Sequence, residues 1–172
     1  MTIPKRIGTI FIFAALGSIS GLACAAGNIS KAFDVTANVA SNCLISSASD
    51  MVFGTYDPTT NSDKTSTSII IVKCTKNKFV TIGLNQGTGI NASVVNRNMT
   101  PTLPGNDPLP YSLHYDPAMS ANWGDTQGTS KTETGAGLNT DIVVTVYGKI
   151  LKNLYNLSED TYKDTITATV NF

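Results

Sequence analysis

Few residues in this chain could do chemistry. His114, the single histidine, lies in the run Leu113-His114-Tyr115 with Asp116 two positions on, the residue types of a general base and its orienting carboxylate. A histidine facing outward from a strand is far more often an ordinary surface residue, so no catalytic role is assigned. Trp123-Gly124-Asp125 and Asp141 lie in or beside a long loop and offer an aromatic platform with carboxylates, a pattern suited to stacking and hydrogen-bonding a sugar. The plainer reading is a tryptophan that closes one end of the fold and an aspartate that makes a turn. Of the three cysteines, Cys24 falls in an apolar leader, which leaves Cys43 and Cys74. Two cysteines and one histidine do not fill a tetrahedral zinc site, and an even pair in an exported chain implies a disulfide. Closing a loop of about 32 residues would stabilise the fold by roughly 3.7 kcal/mol on the chain-entropy model.

The leader comprises residues 1–26. Lys5 and Arg6 precede an apolar run from Ile7 to Leu22, and Ala23-Cys24-Ala25-Ala26 supplies small cleavage positions, the organisation of a secretory signal peptide. The run is shorter than the ~20 residues of a spanning helix. Lipidation of Cys24 is disfavoured because Gly21 stands where an aliphatic residue is expected. Without the leader, about 146 residues remain, one domain's worth. Ten basic residues then face twelve acidic ones, so there is no basic stripe for nucleic acid or an anionic membrane. Matches to Asn-x-Ser/Thr at Asn28, Asn91, Asn98 and Asn156 arise readily by chance in an Asn/Thr-rich chain.

The elements that must position these residues read as strands. Phe33, Val35, Ala37 and Val39 alternate with Asp34, Thr36 and Asn38, and Ile166, Ala168, Val170 and Phe172 alternate with threonines and Asn171, each an apolar row on one face of a strand. Further strands are expected around Asn42–Ser46, Met51–Gly54, Ser66–Thr75, Phe79–Leu84, Val94–Met99, Leu109–Tyr115 and Ile142–Ile150. Ile69 to Val72, apolar on both faces, predicts a central covered strand, and Lys76-Asn77-Lys78 has the length of a hairpin loop. Residues 118–140 read as loop, and 151–160 as loop or a single helical turn. Strands at this spacing without alternating helices predict an all-β antiparallel sandwich of immunoglobulin-like type. The alternation of Phe33 to Val39 suits a strand inside the fold and one lent to another molecule equally well.

The ordered set Asn42-Cys43-Leu44-Ile45, Phe53-Gly54-Thr55-Tyr56, Val72-Lys73-Cys74, Arg97-Asn98-Met99, Leu113-His114-Tyr115, Trp123-Gly124-Asp125, Val146-Tyr147-Gly148 and Tyr162 to Phe172 resembles the spore coat protein U family, which includes subunits of archaic, Csu-type chaperone/usher pili. The resemblance implies an incomplete sandwich that lacks its last strand and is completed by a donor strand. It implies residues 27–40 as an N-terminal donor extension and 41–172 as the pilin domain. Phe33, Val35, Ala37 and Val39 would enter a neighbouring subunit, while Ile166, Ala168, Val170 and Phe172 would border the groove that a chaperone or donor fills. Ile29 shares the donor parity, with Lys31 interrupting the apolar row. The implied partners are neighbouring pilin subunits, a periplasmic chaperone and an outer-membrane usher, with no cofactor, metal or nucleic acid. The implied destination is the cell surface by way of the periplasm, and the implied role is a shaft or adaptor subunit supporting adhesion and biofilm formation. The alternatives are a spore coat structural protein and a secreted sugar-binding module using Trp123 and Asp125.

Overall fold

A computed structural model describes residues 27–172; the expected signal peptide, with Lys5, Arg6 and Cys24, lies outside the described residues. The chain separates into Met1–Ala37 and Asn38–Phe172. Residues 27–42 contain no helix or strand, and Ile29, Phe33, Val35 and Val39 are between 84% and 100% exposed. The strand expected over Phe33–Val39 is therefore not formed here. Alternation supplies an apolar row, but a strand also needs a paired edge for its N–H and C=O groups.

From Asn38 onward the fold is built of nine strands: β1 (Cys43–Ala48), β2 (Lys64–Cys74), β3 (Phe79–Leu84), β4 (Arg97–Pro101), β5 (Leu109–His114), β6 (Lys131–Thr134), β7 (Ile142–Ile150), β8 (Tyr162–Lys163) and β9 (Ala168–Asn171). Every pairing is antiparallel. One sheet has the order β1-β2-β7-β5-β4-β8 and the other β6-β3-β9. Period-two patterning places Ile70, Val72 and Cys74 of β2, Val80, Ile82 and Leu84 of β3, Leu109, Tyr111 and Leu113 of β5, and Val144, Val146 and Ile150 of β7 in one core. Each such side chain contributes roughly 1.5–3 kcal/mol by burial. The described residues form no helix, so 151–160 is turn rather than helical.

Four further expectations are corrected by tertiary context. Ile69 is exposed and Ile71 only half-buried, so β2 is covered on one face, not two. Lys76-Asn77-Lys78 is no hairpin loop, because both edges of β2 are taken by β1 and β7 while β3 pairs with β6 and β9. The turn instead carries the chain from one sheet to the other. Asn77 adopts a left-handed φ of 62°, which asparagine tolerates. Its N–H donates to Gly135 O at 2.8 Å, and Gly135 N–H donates to Lys78 O at 2.7 Å. A β-carbon on Gly135 would lie 2.0 Å from Thr75 O, so only glycine permits this stitch. Finally, β6 lies inside the stretch read as loop, and Met51–Gly54, expected as a strand, runs outside any ladder.

Cys43 and Cys74 face each other in the β1–β2 register and are joined by a disulfide with Cα atoms 4.2 Å apart, the narrow separation of a non-hydrogen-bonded antiparallel pair.

Candidate functional site

Asn38–Phe172 carries a groove of about 1340 Å³. Its floor is the inner face of the sandwich, including Ile70, Leu84, Tyr111, Val146 and Ile150. One wall is the segment after β1, residues 48–58, and the other is residues 157–168, which lead into β9.

The first wall is extended but unpaired as a strand. Met51, Phe53 and Tyr56 turn inward and pack on the core as partly buried side chains. Gly148 of β7 makes this possible: a β-carbon there would sit 2.2 Å from Met51 Sδ and 2.7 Å from Phe53 Cζ. Phe53 meets Tyr111 edge-on at 6.4 Å. Tyr56 anchors the far end, its hydroxyl donating to Leu151 O at 2.8 Å and accepting from Leu154 N–H at 3.1 Å.

The second wall is fixed through Asp164. One carboxylate oxygen accepts from the Tyr111 hydroxyl at 2.6 Å, the other from Thr88 N–H at 2.7 Å and Thr88 Oγ1 at 3.0 Å. Burial pushes the Tyr111 phenol pKa far above its ordinary value, and the bond to Asp164 adds to this. Asp160 accepts from Leu103 N–H and Asn106 Nδ2 at 2.9 Å each. Desolvation would raise its pKa, but these donors outweigh it and hold the carboxyl below its usual range.

The residues singled out from sequence fall in different places. Ile166 and Ala168 line the groove. Val170 stands opposite Ile82 in the β3–β9 ladder and packs on the core, and Phe172 is exposed. Phe33, Val35, Ala37 and Val39 are exposed.

His114 is buried, contrary to the surface reading. One ring nitrogen is 3.2 Å from Ala121 O and the other 2.9 Å from Ser112 Oγ, so neither is free for a substrate. Asp116 instead accepts from Ser120 and Ala121 N–H groups, which lower its pKa to about 2. Trp123 is 0% exposed, with its indole N–H donating to Ile82 O at 2.8 Å. A platform inside the core cannot stack on a sugar, and the sugar-binding reading falls with it. Asp125 is exposed, and Asp141 pairs with Lys73 at 3.1 Å. Among the described residues, no group of three or more His, Cys, Asp or Glu side chains is placed to hold a metal ion.

Sequence reasoning missed Arg97, which is 0% exposed. Its guanidinium donates to Asn85 O at 2.9 Å, Val94 O at 2.8 Å, Leu84 O at 2.9 Å and Trp123 O at 2.7 Å. Burial lowers its pKa, yet a guanidinium stays cationic in proteins. Four convergent carbonyls take the place of a counter-ion.

An apolar floor between two walls, one of them an extended segment outside any ladder, is suited chemically to receiving an extended chain that adds a strand: main-chain hydrogen bonds hold it, and pockets take alternate side chains. The molecule is an incomplete immunoglobulin-like antiparallel sandwich, open along this groove. Comparison with known families agrees. The Spore Coat Protein U domain model matches residues 29–169, and the chain belongs to that family. It is 36% identical over 148 residues to Protein U of Myxococcus xanthus, a match covering 79% of this chain and 80% of the relative. Among solved structures it is similar in fold to a chain of the CsuC–CsuE chaperone–tip adhesion subunit pre-assembly complex from archaic chaperone-usher Csu pili of Acinetobacter baumannii, with a TM-score of 0.55 and 23% identity. That match covers 78% of this chain and 40% of the other.

Proposed function

We propose that this protein is a non-catalytic structural subunit, shaft or adaptor, of a surface pilus assembled by donor-strand exchange. The observation that carries the reading is the open apolar groove of a sandwich in a chain that also bears an exposed alternating segment at residues 29–39. Residues 27–40 serve as the donor, with Phe33, Val35, Ala37 and Val39 entering the groove of a neighbouring subunit. Before assembly a periplasmic chaperone occupies the groove, and an outer-membrane usher delivers the subunit to the fibre. Because each subunit lends its segment to the next, the contact is heterologous and does not close, and it generates a fibre. Export through the periplasm and a role in adhesion and biofilm formation follow from that assembly. A second reading, a structural protein of a spore coat, is favoured by the family's description and by the relative from Myxococcus xanthus; it uses the same strand exchange in a different setting.

The double substitution Phe33→Asp with Val35→Asp tests the reading. Co-expressed with its chaperone, the subunit is expected to be recovered folded in the chaperone complex and yet to form no multimers. Failure to recover a folded subunit even with the chaperone would mean that the segment belongs to its own fold.

A further inference from the structure

Resting on the donor-strand reading above, we infer that the groove selects this chain's own segment, from a second copy, through Lys31. In an extended strand the odd-numbered residues share a face. Placing Phe33, Val35, Ala37 and Val39 in the groove therefore turns Ile29 and Lys31 inward as well, while Asp34 turns outward with Asn28, Ser30, Thr36 and Asn38. The inward row thus carries a single charge, and it is positive. A cation entering an apolar groove without a partner is strongly disfavoured, so a groove that accepts this segment must answer Lys31.

This groove can answer it. Its charged lining is Asp50 on one wall, and Glu159, Asp160 and Asp164 against Lys163 on the other, an excess of carboxylate on both sides of a channel with an apolar floor. Asp50 and Glu159 are exposed, and Asp164 is fixed in place by Tyr111 and Thr88. The lengths are comparable too: Ile29–Val39 spans eleven residues, about 36 Å when extended, beside a wall of twelve, residues 157–168. The four-carbon stem of lysine lets its body follow the apolar floor while its ammonium reaches a wall carboxylate. Lys31, which looks like a fault in the apolar row, is the specificity-determining residue of the exchange.

The test is a cycle on the full-length exported chain, reading the yield of multimers that resist cold SDS. Its members are the unaltered chain, K31E, the groove reversal D50K with E159K, and the combination. K31E alone and the groove reversal alone are each expected to lower multimer yield about tenfold at low salt, and the combination to recover most of it. Raising the salt should narrow these differences. Recovery also shows that the single-site losses are not misfolding. Equal yields from all four chains, or a combination worse than either parent, would overturn the role of Lys31 while leaving strand exchange standing. No multimers from the unaltered chain would instead sink the assembly reading itself.

Discussion

At the scale of single residues, the polar groups of the core decide more than their number suggests. Arg97 satisfies carbonyls at Leu84, Asn85, Val94 and Trp123, so one side chain fastens the end of β3 to two loops. Arg97→Met would leave those acceptors dry, and a loss of about 3 kcal/mol or more is expected in denaturant unfolding. His114 titrates against the fold: burial, then the Lys149 charge, depresses its pKa, while the bond to Ala121 and the charge of Asp116 oppose the shift only in part. A base with a lowered folded pKa gives stability that is complete above its unfolded value of about 6.5 and is lost as pH falls through the folded one. His114→Gln should flatten that mild-acid loss in a series of unfolding curves taken at different pH. Neither residue was legible in the sequence. Arginine is almost never fully buried unless paired, and a lone histidine in an alternating strand gives no sign that residues 116–122 fold back over it.

At the scale of elements, the strands that were legible are those whose period-two rows face the core, such as β5 and β7. What escaped was partnership. Local turn chemistry marked Lys76-Asn77-Lys78 as a reversal but held no information about which sheet receives β3. The short β6 and β8 carry too few residues to show a period, and their existence depends on the edges of β3 and β4. The apolar row of Ile166 and Ala168 was legible from its alternation, but alternation alone did not place it beside a groove. Met51 and Phe53 were read as parts of a strand and stand instead as a wall without a ladder, a difference set by what is available to pair with them. The disulfide ties β1, an edge strand, to β2. Replacing both Cys43 and Cys74 by serine should cost roughly 3.7 kcal/mol if chain entropy dominates, measured as a lowered denaturant midpoint; an unchanged midpoint would mean that the β1–β2 ladder holds without it.

At the scale of the whole molecule, the apolar groove and the exposed alternating segment make one proposition: this chain completes its sandwich with a strand from elsewhere and lends its own. Burying an apolar row along a sheet edge of some ten residues combines hydrophobic burial with a full ladder of main-chain bonds, and so predicts assemblies that withstand cold detergent. Electrophoresis of the exported protein in SDS, cold against boiled, with and without residues 27–40, tests this most directly. The account predicts a cold ladder of multimers that collapses to monomer on boiling and is absent from the truncated chain. A single monomer band from the intact chain in the cold, or a ladder that survives removal of residues 27–40, would contradict it.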